Sequence, residues 1–217
     1  MIKADLHIHT EYSIDCGTPI DAVIERCKQL SLGCVAIADH GTVEGALKMQ
    51  KIAPFKVIVA EEVLTPDGEI MGMFLKETIP SGITADEAVA AIKEQGGLVC
   101  IPHPFDPIRN SALDTEVLNR LVSEGKVDIL EVINSRYLLQ RSVAQASKFA
   151  KKHNLPQSAG SDGHTIPEIG NAYVEIAEFE GRDEFLKALA KGKPGGHRTN
   201  PLVHFHSLAQ RLKTQLT

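Results

Sequence analysis

The sequence predicts a single α/β domain whose parallel sheet closes into a β/α barrel with fewer than the usual eight strands. Strand-period and helix-period segments alternate along the chain, as repeated β-α units require. In addition, His7 and His9, Asp39 and His40, Glu62, His103, and Asp162 and His164 each fall at or just beyond the carboxyl end of a different expected strand. A barrel gathers its site from most strands in this way, whereas an open sheet gathers it mainly at a switch point.

Positions 2–8 alternate, with Ala4, Leu6 and Ile8 on one face and Asp5, His7 and then His9 on the other, which is the period of a strand. A helix follows, with Thr18 as its expected N-cap, Pro19 at the first helical position, and Ile20, Val23, Ile24, Cys27 and Leu30 at helical spacing. Gly33 ends it, 34–38 reads as a buried strand, and Thr42 is placed to cap a helix through Lys51. A strand over 55–64, a turn at Pro66-Asp67-Gly68 and a partner strand over 69–75 come next. Thr84 and Glu87 form a capping box that opens a helix with Ala85, Ala88, Val89 and Ile92 on its buried side. Beyond Gly96-Gly97 the pattern gives a strand over 98–101, a helix over 115–123, a strand over 127–133 and a helix over 138–153. Short strands over 157–159 and 172–176 and a helix over 182–190 complete it. Residues 1–200 are expected to form the barrel, and 201–217 a helical tail.

The chain has 217 residues, with 23 basic against 28 acidic side chains and a formal charge of -5. A chain this long can bury a sizeable core without disulfides or a structural metal. The mild acidity weighs against a protein that coats nucleic acid or an anionic membrane, since both need a concentrated basic face. No signal-peptide or membrane-span pattern precedes Asp5, so a cytoplasmic location is expected. Cys16, Cys27, Cys34 and Cys100 form no Cys-x-x-Cys pair and read as buried free thiols.

Nine His are the odd feature of the composition. Residues two apart on a strand share a face, so His7 and His9 present two imidazoles side by side and can chelate one metal. The recurrence of Asp15, Asp39-His40, Glu62, His103-Pro104 and Asp162-Gly163-His164 at strand ends argues for a metal centre over a set of core histidines. Burying such a set would be costly without compensating cations. Nitrogen and oxygen donors without thiolate suit Zn²⁺, Mn²⁺ or Fe. Clustered divalent ions generate hydroxide near neutral pH and neutralise charge on a phosphoryl oxygen, so phosphoester hydrolysis leads and amide or lactone hydrolysis follows. His153, His197 and the second His-x-His, His204 and His206, lack supporting carboxylates and read as non-ligating.

In this order, Asp5-Leu6-His7-Ile8-His9-Thr10, Asp39-His40, Glu61-Glu62-Val63, His103-Pro104-Phe105 and Gly160-Ser161-Asp162-Gly163-His164 resemble the PHP (polymerase and histidinol phosphatase) family. The resemblance spans about positions 2 to 170 and implies a distorted seven-stranded β/α barrel, a two- or three-metal site and phosphoesterase activity. By position it implies that His7, His9, Glu62 and Asp162 hold a first metal, with Glu62 bridging to a second served by His103. Asp15, His40 and His164 would hold a third. Asp5 and Asp39 would orient ligating imidazoles through the ring N–H opposite the metal. Where many relatives carry a His after the bridging Glu, this chain has Glu69, a harder donor that would shift the second site toward Mn²⁺ or Fe; the alternative is an exposed strand residue. Arg109 and Arg136 are candidates to clamp a phosphate, and Glu131 and Asn134 lie near the same rim. The expected substrate is a small phosphorylated metabolite or a nucleotide. Trimming of nucleic-acid ends and metal binding without turnover are the alternatives, and oligomeric state is left open.

Overall fold

The computed structural model describes residues 1–199. The expected tail over 201–217, and with it His204 and His206, lies outside the described residues. The elements run β1 (Ile2–Ile8), α1 (Ile20–Gln29), β2 (Cys34–Ile37), α2 (Glu44–Ile52), β3 (Lys56–Thr65), β4 (Gly68–Met73), α3 (Ala85–Glu94) and β5 (Leu98–Ile101). They continue with α4 (Thr115–Ser123), β6 (Ile129–Asn134), α5 (Gln140–Lys152), β7 (Gln157–Gly160), β8 (Ala172–Ile176), α6 (Gly181–Leu189) and β9 (Lys193–Gly196). One sheet in the order β7-β6-β5-β4-β3-β2-β1-β8-β9 contains them all.

Among the described residues the sheet therefore has nine strands rather than seven. Strands β1 to β7 form the ring, which closes where the backbone beyond β7 meets the carboxyl end of β1. There Asp162 N–H donates to His7 O at 2.7 Å, His9 N–H donates to Gly163 O at 3.0 Å, and Ile8 bridges Gly163. At its amino end β1 pairs instead with β8 through Ile2, Lys3 and Ala4, and β9 extends that antiparallel pair. Strand β9 is Lys-Pro-Gly-Gly, poor in strand-forming side chains, and Pro194 is tolerated because β9 lies at the end of the sheet order.

Strand alternation separates two apolar clusters. Val35, Ile37, Val57, Val59, Val63 and Ile70 pack outward against helices, while Cys34, Ala36, Ile58, Ala60, Met71, Met73 and Ile129 fill the barrel interior. Phe185 of α6 is fully buried with that inner cluster and meets Phe74 in a tilted contact with ring centroids 5.2 Å apart. The expected continuous face of Ala4, Leu6 and Ile8 is broken: the first two face inward and Ile8 outward, and the β1–β2 register shifts between Asp5 and Ile8. All four cysteines are free and buried. Among the described residues no helix is long and apolar enough to cross a membrane.

Thr18 does not cap α1. Its hydroxyl donates to the His164 carbonyl at 2.7 Å, a contact that ties this loop to the rim, and Pro19 takes the N-cap position. The Thr84–Glu87 capping box forms in full, with the Glu87 amide bonded to Thr84 Oγ1 and the Thr84 amide to Glu87 Oε2. Thr84→Ala is expected to cost about 1 kcal/mol, a fall of about 2–4 °C in a thermal melt. An unchanged melting temperature would mean that the box contributes nothing beyond what water provides.

Candidate metal centre

At the carboxyl rim the inner face of the barrel turns from apolar to ligating. Strand period two continues Ala36 and Ala38 to His40, Ile58 and Ala60 to Glu62, and Ile129 to Glu131. Strand β4 runs antiparallel, so it presents its beginning at this rim, and Met73 and Met71 lead back to Glu69. His7, His9, His103 and Asp162 are fully buried, and Asp15, His40, Glu62, Glu69 and His164 are at most 8% exposed. Glu69 is thus not the exposed strand residue of the alternative reading. His103 and Asp162 hold left-handed backbone, with φ of 31° and 52°, a conformation disfavoured for residues with a Cβ and sustained here by surrounding structure.

His7 Nε2 and His9 Nε2 lie 3.1 Å apart. His7 Nδ1 is 3.1 Å from Glu131 Oε1, a carboxylate oxygen that can only accept, so the ring proton is on Nδ1. The Ser13 hydroxyl donates to Asp15 Oδ1 at 2.8 Å, so His9 Nδ1, 3.4 Å from Ser13 Oγ, is the donor of that contact. In the neutral rings both Nε2 atoms therefore carry lone pairs. They face Glu62 Oε2 at 3.3 and 3.4 Å and Asp162 Oδ1 at 3.9 and 3.5 Å. No hydrogen bond among the described residues satisfies Asp162 Oδ1. Four acceptors around one point call for a cation, and the donor set fits a divalent metal.

The field at the site has the same sign. Burial alone would lower the His7 pKa, yet the carboxylates of Glu62, Asp162 and Glu131 raise it well above the ordinary imidazole value. Burial likewise opposes ionisation of Glu62, but His7, His40 and His103 hold its carboxyl well below the usual range. His164 differs: burial, together with His9 and Arg136, pushes it down to about 3, so its imidazole is neutral near pH 7.

Three interlocking groups bring ligand atoms within 4.8 Å of one another: His7, His9 and Asp162; His9, Asp15, His40 and His164; and His40, Glu62 and Glu69. His9 and His40 are each shared. His103 Nε2 joins the last group at 2.7 Å from Glu62 Oε1 and 3.1 Å from Glu69 Oε2. His164 Nε2 is 3.0 Å from Asp15 Oδ2. His164 Nδ1 lies 2.9 Å from the Asp162 carbonyl and 2.8 Å from Arg136 Nη1; a protonated Nδ1 donates to the first and a bare one accepts from the second.

Both candidate phosphate clamps reach this cluster. Arg109 Nη2 is 2.6 Å from Asp162 Oδ2 and Arg136 Nη1 is 3.7 Å from Asp162 Oδ1. Asp5 and Asp39 are beside it but meet no imidazole ring. Asp5 accepts from the Ser161 and Gly170 amides, each at 2.8 Å, and Asp39 from the Thr10 amide and hydroxyl at 2.6 and 2.7 Å. They brace the backbone on either side of the ligands. The carboxylate that orients His7 is Glu131, which also accepts from the His103 amide at 2.6 Å and from Asn134 Nδ2 at 3.0 Å. Glu168 went unnoticed in the sequence: it accepts from the His164 and Thr165 amides at 3.1 and 2.9 Å and pairs with Arg136 Nε at 3.4 Å. Its Thr-x-x-Glu spacing from Thr165 was the available signal. His153 and His197 are in none of these groups.

Fold and site together define a β/α barrel that gathers interlocking His and carboxylate groups of metal-ligating composition at its carboxyl rim. The PHP domain matches residues 5–73 and the PHP-associated family, PHP_C, matches residues 140–194. An uncharacterized protein of Methanocaldococcus jannaschii is 35% identical over 180 residues, which cover 82% of this chain and 72% of that protein. This chain belongs to the PHP family. Among solved structures, its fold is similar to that of a two-domain protein from Bacteroides vulgatus described as containing a predicted PHP-like metal-dependent phosphoesterase, with a TM-score of 0.74, 16% identity and 90% of this chain covered. This chain spans 65% of that longer protein. An amidohydrolase from Chromobacterium violaceum, solved with bound sulfate and no metal, is similar at a TM-score of 0.60 and 15% identity, covering 74% of this chain and 87% of that one.

Proposed function

We propose that this protein is a metal-dependent phosphoesterase acting on a small phosphorylated metabolite or nucleotide. The observation that carries the reading is the pair of imidazole nitrogens, His7 Nε2 and His9 Nε2, facing the Glu62 and Asp162 carboxylates in a buried rim site. His7, His9 and Asp162 would hold one divalent ion, Asp15, His40 and His164 a second, and Glu69 and His103 a third, with Glu62 reaching between groups. The carboxylate of Glu69 favours Mn²⁺ or Fe over Zn²⁺ there. Such ions, when bound, supply an activated water near neutral pH and offset charge on the phosphoryl oxygens.

The protein's own groups do the rest. Glu131 holds the His7 tautomer and, through the His103 amide, fixes two ligands at once. Arg109 and Arg136 place guanidinium N–H donors at the Asp162 edge of the cluster, where they can bind phosphoryl oxygens and stabilise charge that develops as the ester bond breaks. Burial of the ligand side chains strengthens those interactions relative to water.

The test is phosphate release from a panel of phosphomonoesters, and release of the alcohol from a panel of phosphodiesters, by purified protein. Chelation is expected to abolish activity and added Mn²⁺ to restore it, with metal content measured in parallel. Full activity after chelation, or in Asp162→Ala, would rule the reading out.

A further inference from the structure

A cavity of about 480 Å³ shares Glu69 with the cluster, and its volume is within the about 300–1,000 Å³ of typical small-molecule sites. Strand β3 continues past Glu62 to Thr65 and β4 returns from Gly68 to Glu69, so this hairpin stands above the rim and forms one wall. The stretch following Arg109, from Asn110 through Ala112, forms the other. The walls are tied together: Glu69 N–H donates to Ser111 O and Asp114 N–H to Asp67 O, both at 2.8 Å. Their contact is close enough to require glycine at position 68, where φ is +121° and a Cβ would stand 2.5 Å from Leu113 Cα. The cavity is therefore preformed.

Its position relative to the chemistry follows from its two ends. Glu69 lines it and reaches His103 Nε2 at 3.1 Å, while Arg109, adjoining the second wall, reaches Asp162 at 2.6 Å. Besides Glu69, which faces the cluster, the lining carries the carboxylates of Asp67 and of Asp114, whose Oδ1 also accepts the Glu116 and Val117 amides, and it contains no Lys, Arg or His. Asn110 and Ser111 add side chains that make no hydrogen bond among the described residues and are available to a ligand. Carboxylates accept hydrogen bonds from hydroxyls and repel a second phosphate; no lining side chain is cationic, and Arg109 beside the second wall is paired with Asp162.

Resting on the phosphoesterase reading above, we infer that this cavity is the leaving-group subsite and that it selects a hydroxyl-rich, uncharged alcohol: a sugar monophosphate rather than a sugar bisphosphate. The test uses the full chain with Mn²⁺ and two probes that cannot be hydrolysed, the methylene phosphonate analogues of a hexose 6-phosphate and a hexose 1,6-bisphosphate, titrated by calorimetry. The first is expected to bind at least about tenfold more tightly, on the scale of a like-charge contact. Asn110→Lys, at an exposed position, is expected to close most of that gap, and Asp67→Asn part of it. Equal affinity for the two probes in the wild type, binding of neither, or a ratio unmoved in both variants would overturn the subsite. Phosphate release from fructose 6-phosphate is measured in parallel. Discrimination in binding with no release from any ester would count against the phosphoesterase reading and leave the subsite standing.

Discussion

Glu62→Gln is expected to strip metal from the purified protein and to lower kcat/KM by about 10³, because lost metal stabilisation is worth several kcal/mol at about 1.4 kcal/mol per tenfold. Glu62 touches more of the cluster than any simple pair would need. Its Oε1 lies 2.7 Å from His103 Nε2, and its Oε2 lies 3.3, 3.4 and 3.5 Å from the Nε2 atoms of His7, His9 and His40. Gln keeps the shape and one acceptor oxygen but removes the charge that would hold neighbouring cations together. The competing interpretation is a buried ion-pair network with protonated histidines. In that case removing one partner costs about 3–5 kcal/mol of stability, metal content is low in the wild type, and chelation leaves the melting temperature unchanged. Metal analysis combined with melts in the presence and absence of chelator separates the two. Wild-type metal content and activity in Glu62→Gln would contradict the assigned role.

Why some of this site was legible in the sequence and some was not follows from the distances along the chain over which each contact acts. His7 and His9 were readable because strand period two needs only adjacent residues, and the same period carries Ala36 and Ala38 to His40 and Ile58 and Ala60 to Glu62. Glu69 could be flagged from its place after Glu62, but its burial required knowing that an antiparallel β4 enters at the ligand-bearing rim. Glu131 lies 124 positions from the imidazole it orients, and only closure of the ring brings them together. Asp5 and Asp39 looked like imidazole partners by analogy of residue type. The amides of Ser161, Gly170 and Thr10, which no side-chain pattern announces, are their actual donors. The same blindness to tertiary partners misplaced Thr18, whose hydroxyl was expected to cap a helix and is instead bound to the His164 carbonyl. Strand β9 was missed for a different reason: Lys-Pro-Gly-Gly has no strand propensity, and it pairs because β8 offers an edge.

Gly160→Ala tests whether fold and site are one construction. Position 160 ends β7 at the seam where the barrel closes on β1, and the space for a side chain there is already filled. A Cβ would lie 2.2 Å from His7 Cβ, 2.7 Å from His7 N and 3.0 Å from Glu131 Oε1. Two of those three atoms belong to the backbone or its first side-chain carbon, so no rotamer change relieves the overlap; the strands must part. The expected loss is about 3 kcal/mol or more, at the upper end of overpacking costs, a fall of about 6–12 °C in melting temperature. Parting the seam also displaces His7 from His9 and loosens the Glu131 contact, so metal content and hydrolysis should fall together with stability. Ala at Gly125, in the connection between α4 and β6, is the control: φ there is +67° and nothing lies within 4 Å, so only backbone strain of about 1 kcal/mol is expected. Should Gly160→Ala melt like the wild type and retain its metal, β7 and β1 would not be packed as closely as the seam geometry requires. If it melts early while keeping full metal content, the ligands would be held by their loops rather than by closure of the barrel.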